Sequence, residues 1–111
     1  MLLQGIFGNE TTEKVLLYLQ NYGAGYPRGI SKIFDLPISQ IQRQLERLER
    51  EGVLVSRLIG RTREYTWNPR FYFRSEIAQL LEKALGSMPL EVTEKYFRVR
   101  SRPRKRGKLL P

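Results

Sequence analysis

LPISQIQRQLERLEREGVLVSRLIGRTREYTWN, residues 36–68, changes its periodicity once, and that change decides the fold. Up to Glu51 the apolar residues recur at helical spacing. Ile38, Ile41, Leu45 and Leu48 stand three, four and three apart, which puts them on one face of a helix over 37–51. Pro37 suits the first turn of such a helix, where a missing N–H has no partner to lose. Gly52 suits its end. Glu46 with Arg50, and Arg47 with Glu51, have the spacing of intrahelical ion pairs. Beyond the glycine, Val53–Leu58 and Thr62–Trp67 alternate as strands, with Ile59-Gly60-Arg61 between them as a tight hairpin. Val53, Val55, Tyr65 and Trp67 fall on sets compatible with one buried face.

Upstream, Asn9 is a good N-cap, and Glu10 and Glu13 suit the positive end of a helix dipole. Val15, Leu16, Tyr18 and Leu19 then give residues 10–21 a helical period. Tyr22–Pro27 contains two glycines and a proline and predicts a turn. A short helix over 28–34 follows, with Ile30, Ile33 and Phe34 apolar. The next turn is at 35–37, because the residue before a proline is biased away from helical angles. Leu2, Leu3, Ile6 and Phe7 form an apolar arm that either caps the core or reaches a second subunit.

Downstream, Asn68-Pro69 closes the hairpin. Ile77, Leu80, Leu81 and Ala84 mark a fourth main helix over 73–85, which Gly86–Pro89 breaks. From residue 87 an extended or disordered basic tail is expected, with Tyr96-Phe97 able to anchor it by packing. This divides the chain into a domain at 1–86 and a tail at 87–111. The fold class is α+β, a small winged helix-turn-helix domain of about four helices with a two-stranded β-hairpin wing.

Composition narrows the chemistry. A chain of 111 residues supports one domain with a modest core. No apolar run approaches the roughly 18 residues that span a bilayer. The start, MLLQGIFGNE, lacks a basic n-region, so no signal peptide is expected and a cytoplasmic location is the default. There is no Cys and no His, which removes thiolate chemistry, imidazole bases and the usual zinc ligands. No nucleophile elbow or phosphate loop stands in the sequence. The expectation is a protein that is not an enzyme and needs no cofactor or metal. The net charge of +9 is unevenly placed. Lys95, Arg98, Arg100, Arg102, Arg104, Lys105, Arg106 and Lys108 lie after the last acid, Glu94. Such a tail points to nucleic acid or another anionic surface.

A helix enters the major groove of duplex DNA when its outward face can reach base edges. On the helix over 37–51 that face carries Ser39, Gln40, Gln42, Arg43, Glu46 and Arg47. Arginine pairs with guanine, glutamine with adenine, and serine with either. Gln42 and Arg43 are the first candidates for base contacts, with Ser39 and Gln40 beside them and Arg47 on phosphate. Arg57, Arg61, Thr62 and Arg63 cluster at the hairpin tip, where a basic finger can follow phosphates or enter a narrow minor groove. The same residues also fit a solvated helix face and a charge-protected strand edge. The partner these residues point to is double-stranded DNA, and the expected function is sequence-specific regulation of transcription. The alternative is a winged-helix interaction module that binds RNA or a protein.

The run Ile38–Leu54 with Gly60-Arg61-Thr62-Arg63-Glu64-Tyr65 resembles winged helix-turn-helix regulators of the ArsR/MarR-like group. The likeness runs from Phe7 to about Leu85. It is closer still to small prokaryotic modules with an FGN…T…K start and a YxxNPRF-like end, here Tyr65–Phe71. Some of those modules precede a nucleotidyltransferase domain, whereas here only the basic tail follows. The resemblance implies a transcription regulator whose third helix enters the major groove, often as a homodimer. The fourth helix and the N-terminal arm are the candidate seam. Metal-sensing members use Cys or His, and this chain has neither, so metal response is not carried over.

Overall fold

The computed structural model describes residues 1–98; the part of the basic tail beyond Arg98 lies outside the described residues. Nine elements follow in order: α1 (Gln4–Phe7), α2 (Glu10–Tyr22), β1 (Ala24–Gly25), α3 (Pro27–Phe34), α4 (Ile38–Arg50), β2 (Leu54–Ile59), β3 (Thr62–Trp67), α5 (Arg74–Gly86) and α6 (Leu90–Tyr96). The strands form one antiparallel sheet in the order β1-β3-β2. The architecture is α+β, a helical layer with a hairpin wing. Among the described residues no helix is long and apolar enough to cross a membrane.

The central elements lie where the change of period places them. Asn9 caps α2, its Oδ1 accepting from the Thr12 amide at 3.0 Å. The turn at 35–37 joins α3 to α4, with Asp35 in the left-handed region at φ 55°. α4 ends at a glycine that fixes where the wing starts. Gly52 has φ 84°, its amide bonds the Glu49 carbonyl, and the Val53 amide reaches back to Leu48 at 2.9 Å. A side chain at that φ is strained, so glycine here sets the angle between helix and wing. The hairpin closes through Gly60-Arg61 between the paired Ile59 and Thr62.

Several expectations are corrected. The wing is part of a three-stranded sheet, because Ala24 pairs with Thr66 and Gly25 with Tyr65 inside the expected turn. A two-residue strand has no period to read. Gly25 permits it by close approach: a Cβ there would lie 2.9 Å from Tyr18 Cε1. The helices number six among the described residues, since α1 and α6 are only four and seven residues long, too short for a period. β2 faces inward in the opposite phase to the one expected. Leu54, opposite Trp67, is buried, while Val55 is 38% exposed. Ile38 is also 37% exposed, while the polar Gln44 is buried with Ile41, Leu45 and Leu48. Among the described residues no ion pair joins Glu46 to Arg50 or Arg47 to Glu51; Arg47 reaches Thr12 of α2 instead.

The arm caps the core. Leu3 is buried and its amide donates to Glu13 Oε2 at 2.7 Å, deep in the domain, whereas Leu2 and Ile6 stay exposed. The segment after residue 87 is not extended over 90–96, where α6 forms. Phe97 follows it into the core at 2% exposure and packs against Phe34 of α3 with ring centroids 5.9 Å apart. The Tyr22 hydroxyl donates to the Tyr96 carbonyl at 2.8 Å and accepts from the Arg98 amide at 3.3 Å. The Tyr96 and Phe97 rings on Phe34, with hydrogen bonds between α2 and the Tyr96–Arg98 backbone, thus hold α6 on α2 and α3. The packing role of Tyr96-Phe97 is as expected from the sequence; the helix before them is not.

Candidate nucleic-acid interface

The outward face of α4 is divided between two grooves. Ile38, Gln42 and Glu46 lie on the side of the wing. They border a groove of about 340 Å³ whose other walls are Leu58, Arg61, Thr62 and Arg63 of the hairpin, with Tyr65 in its lining. Ser39, Gln40 and Arg43 lie on the side of α1 and α2. They border a groove of about 470 Å³ with Gln4, Asn9, Glu10 and Lys14. A helix turns about 100° per residue, so neighbours in sequence fall on different sides of its crest.

Ser39, Gln42 and Arg43 are exposed, and no hydrogen bond or ion pair holds them among the described residues. They are available to a ligand. Gln40 is half-buried and its Nε2 donates to Thr11 Oγ1 at 2.6 Å. Arg47 is also half-buried. Its Nε donates to Gln44 Oε1 at 3.1 Å and its Nη2 to Thr12 Oγ1 at 3.0 Å. One of its donor groups thus reaches α2 and another is held by Gln44 of α4 itself.

The wing arginines do not share one face. Arg63 lies across from Leu58, on the face that Tyr65 and Trp67 continue into the core, and its Nη1 donates to Ser56 Oγ at 3.0 Å. Arg57 lies on the other face, opposite Glu64, and the two form an ion pair at 3.2 Å. Arg61 stands at the tip with no ion pair among the described residues, and Thr62 beside it is exposed. An exposed ion pair contributes little to stability, but it offsets the charge that Arg57 offers to an anion. Arg61 and Arg63 are the stronger wing cations for the groove.

The structure adds residues that spacing did not reveal. Arg28, in the first turn of α3, borders the wing groove beside Arg61 and Arg63. Lys14 of α2 joins Arg43 on the other side and is paired with Glu10 at 3.5 Å. Arg28 is far in sequence from Arg61 and Arg63, and Lys14 is far from Arg43, so no local pattern brings these cations together. Burial raises the Tyr65 phenol above its ordinary pKa, with Glu49 and Glu46 adding to the rise. Tyr65 is therefore a neutral part of a lining that also carries Glu46, Arg28, Arg61 and Arg63.

No family model and no curated protein matches the chain. Among solved structures, a double mutant of ZitR from Lactococcus lactis in apo form is similar, with a TM-score of 0.54 and 16% identity. The match covers 83% of this chain and 78% of that one. At that identity the likeness is one of fold, and the fold it defines is the winged helix.

Proposed function

We propose that the chain binds double-stranded DNA sequence-specifically and regulates transcription, with α4 in the major groove and the β2–β3 wing on the backbone or in the minor groove. The observation that carries this reading is the wing groove. Gln42 and Glu46 form one wall, Arg61, Thr62 and Arg63 the other, and Arg28 adds charge at the rim. A phosphate ridge separates the two grooves of a duplex. A polar helix and a basic finger on either side of one groove match that ridge. The major groove is wide enough for a helix, and its base edges present the donors and acceptors that these side chains complement.

Arg43 suits guanine, Gln42 suits adenine, Ser39 suits either, and Glu46 can accept from a cytosine amino group. Gln40 and Arg47, drawn toward α2, support these contacts, with Arg47 on the backbone. Arg57, Arg61, Thr62 and Arg63 serve the phosphates or the minor groove. The resemblance to ArsR/MarR-like regulators supports the same assignment. It also supports a homodimer, for which α5 and the exposed Leu2 and Ile6 of the arm are the seam, acting in the cytoplasm. Arg43→Ala is expected to cost roughly 1–3 kcal/mol on a duplex selected from random sequence and little on random duplex. Equal losses on both, measured by titration at one salt concentration, would contradict base readout.

One observation favours a second reading. Tyr72 is 86% exposed beside an exposed Phe73, and neither lines the wing groove. Such rings suit a protein or RNA partner, and tighter binding to structured RNA than to duplex DNA would favour that module.

A further inference from the structure

The seam between α2 and α4 is apolar along Ile41, Leu45 and Leu48 and polar along Gln40, Gln44 and Arg47. The polar part is a clasp on two adjacent threonines of the first turn of α2. Gln44 is only 8% exposed, and its Oε1 accepts from Thr12 Oγ1 at 3.0 Å and from Arg47 Nε at 3.1 Å. Arg47 Nη2 closes the ring on Thr12 Oγ1 at 3.0 Å, and Gln40 Nε2 donates to Thr11 Oγ1 at 2.6 Å. Three α4 residues one turn apart thus hold fixed polar partners across the seam.

An apolar seam is non-directional and tolerates a small rotation of one helix on the other. Hydrogen bonds lose strength steeply with angle and do not tolerate it. A buried polar group is also a poor source of stability where an apolar side chain of similar volume would pack, and its best-attested use is to specify register. We propose that the Gln44–Thr12–Arg47 clasp sets the rotation of α4 about its axis and so determines which of Ser39, Gln42, Arg43 and Glu46 meets a base edge. Gln44 is a positioning residue for specificity and touches no base. The inference rests on the DNA reading above.

Gln44→Leu removes the shared acceptor and nearly keeps the volume, and Thr12→Val removes the hydroxyl from the other side. Both variants are expected to unfold within a few degrees of the parent. Each is expected to bind a selected duplex about tenfold more weakly while affinity for random duplex stays within about twofold, since phosphate contacts ignore helix rotation. Gln44→Glu keeps an acceptor toward Thr12 and Arg47 and is expected to keep most of the discrimination, whereas a purely volumetric role would leave the Gln44→Leu and Gln44→Glu proteins alike. If the folded Gln44→Leu or Thr12→Val protein discriminates as the parent does, the clasp has no part in specificity and the proposal falls. A parent that fails to discriminate overturns the DNA reading itself, and the clasp with it, before any variant is compared.

Discussion

Phe97→Ala lowers the unfolding free energy by about 3–5 kcal/mol, the range for removing a buried aromatic ring. The ring is 2% exposed and packs on Phe34, which Tyr96 also meets at 5.2 Å. Its removal opens a cavity beside α3 and releases the segment that the Tyr22 hydroxyl ties down. Small domains have only about 5–15 kcal/mol to lose, so the midpoint of thermal unfolding falls steeply, by roughly 4–8 °C per kcal/mol. Calorimetry checks this. A loss under about 1 kcal/mol would mean that the ring contributes no core packing. One consequence is practical: a truncation that begins at Lys95 removes the Phe97 ring together with charge, whereas one that begins after Arg98 leaves that ring in place.

Deleting residues 99–111 is therefore the clean test of the basic tail, and its effect on DNA binding is the second large one. The segment holds Arg100, Arg102, Arg104, Lys105, Arg106 and Lys108 and no acid. Cations on phosphates release counterions whatever the sequence, so affinity for selected and random duplex falls together. The slope of log affinity against log salt shrinks by up to about 0.9 for each phosphate that the tail no longer neutralises. Titrations between about 50 and 200 mM salt measure both quantities. Weaker binding to the selected duplex alone would assign the tail to base recognition, contrary to this account.

The part of the fold written in periodicity was legible. Ile41, Leu45 and Leu48 of the α4 stripe, the Gly52 stop and the two hairpin strands stand where their spacing puts them, because each repeats its pattern over several residues. What was not legible depends on contacts between distant residues. β1 exists because β3 passes beside it, and α6 because Phe97 finds a space against Phe34. The phase of β2 depended on whether Leu54 or Val55 met the core, and two adjacent apolar residues cannot decide that from alternation alone. The candidate site shows the same division. Ser39, Gln42 and Arg43 are outward as the helical period requires. Arg47 has the same residue type as Arg43 but turns inward to Thr12, 35 positions away, and Arg28 enters the wing groove from another helix. The three wing arginines cluster in sequence, yet strand alternation sends Arg57 to Glu64 and Arg63 to the opposite face.

The central claim is that α4 and the wing read duplex sequence. Its most direct test is the ratio of affinities of the intact chain for a duplex selected from random sequence and for random duplex, at about 150 mM salt, where phosphate attraction alone is weak. The account predicts that the selected duplex binds at least about 10³-fold more tightly. Equal affinities, or tighter binding to structured RNA than to either duplex, would contradict it.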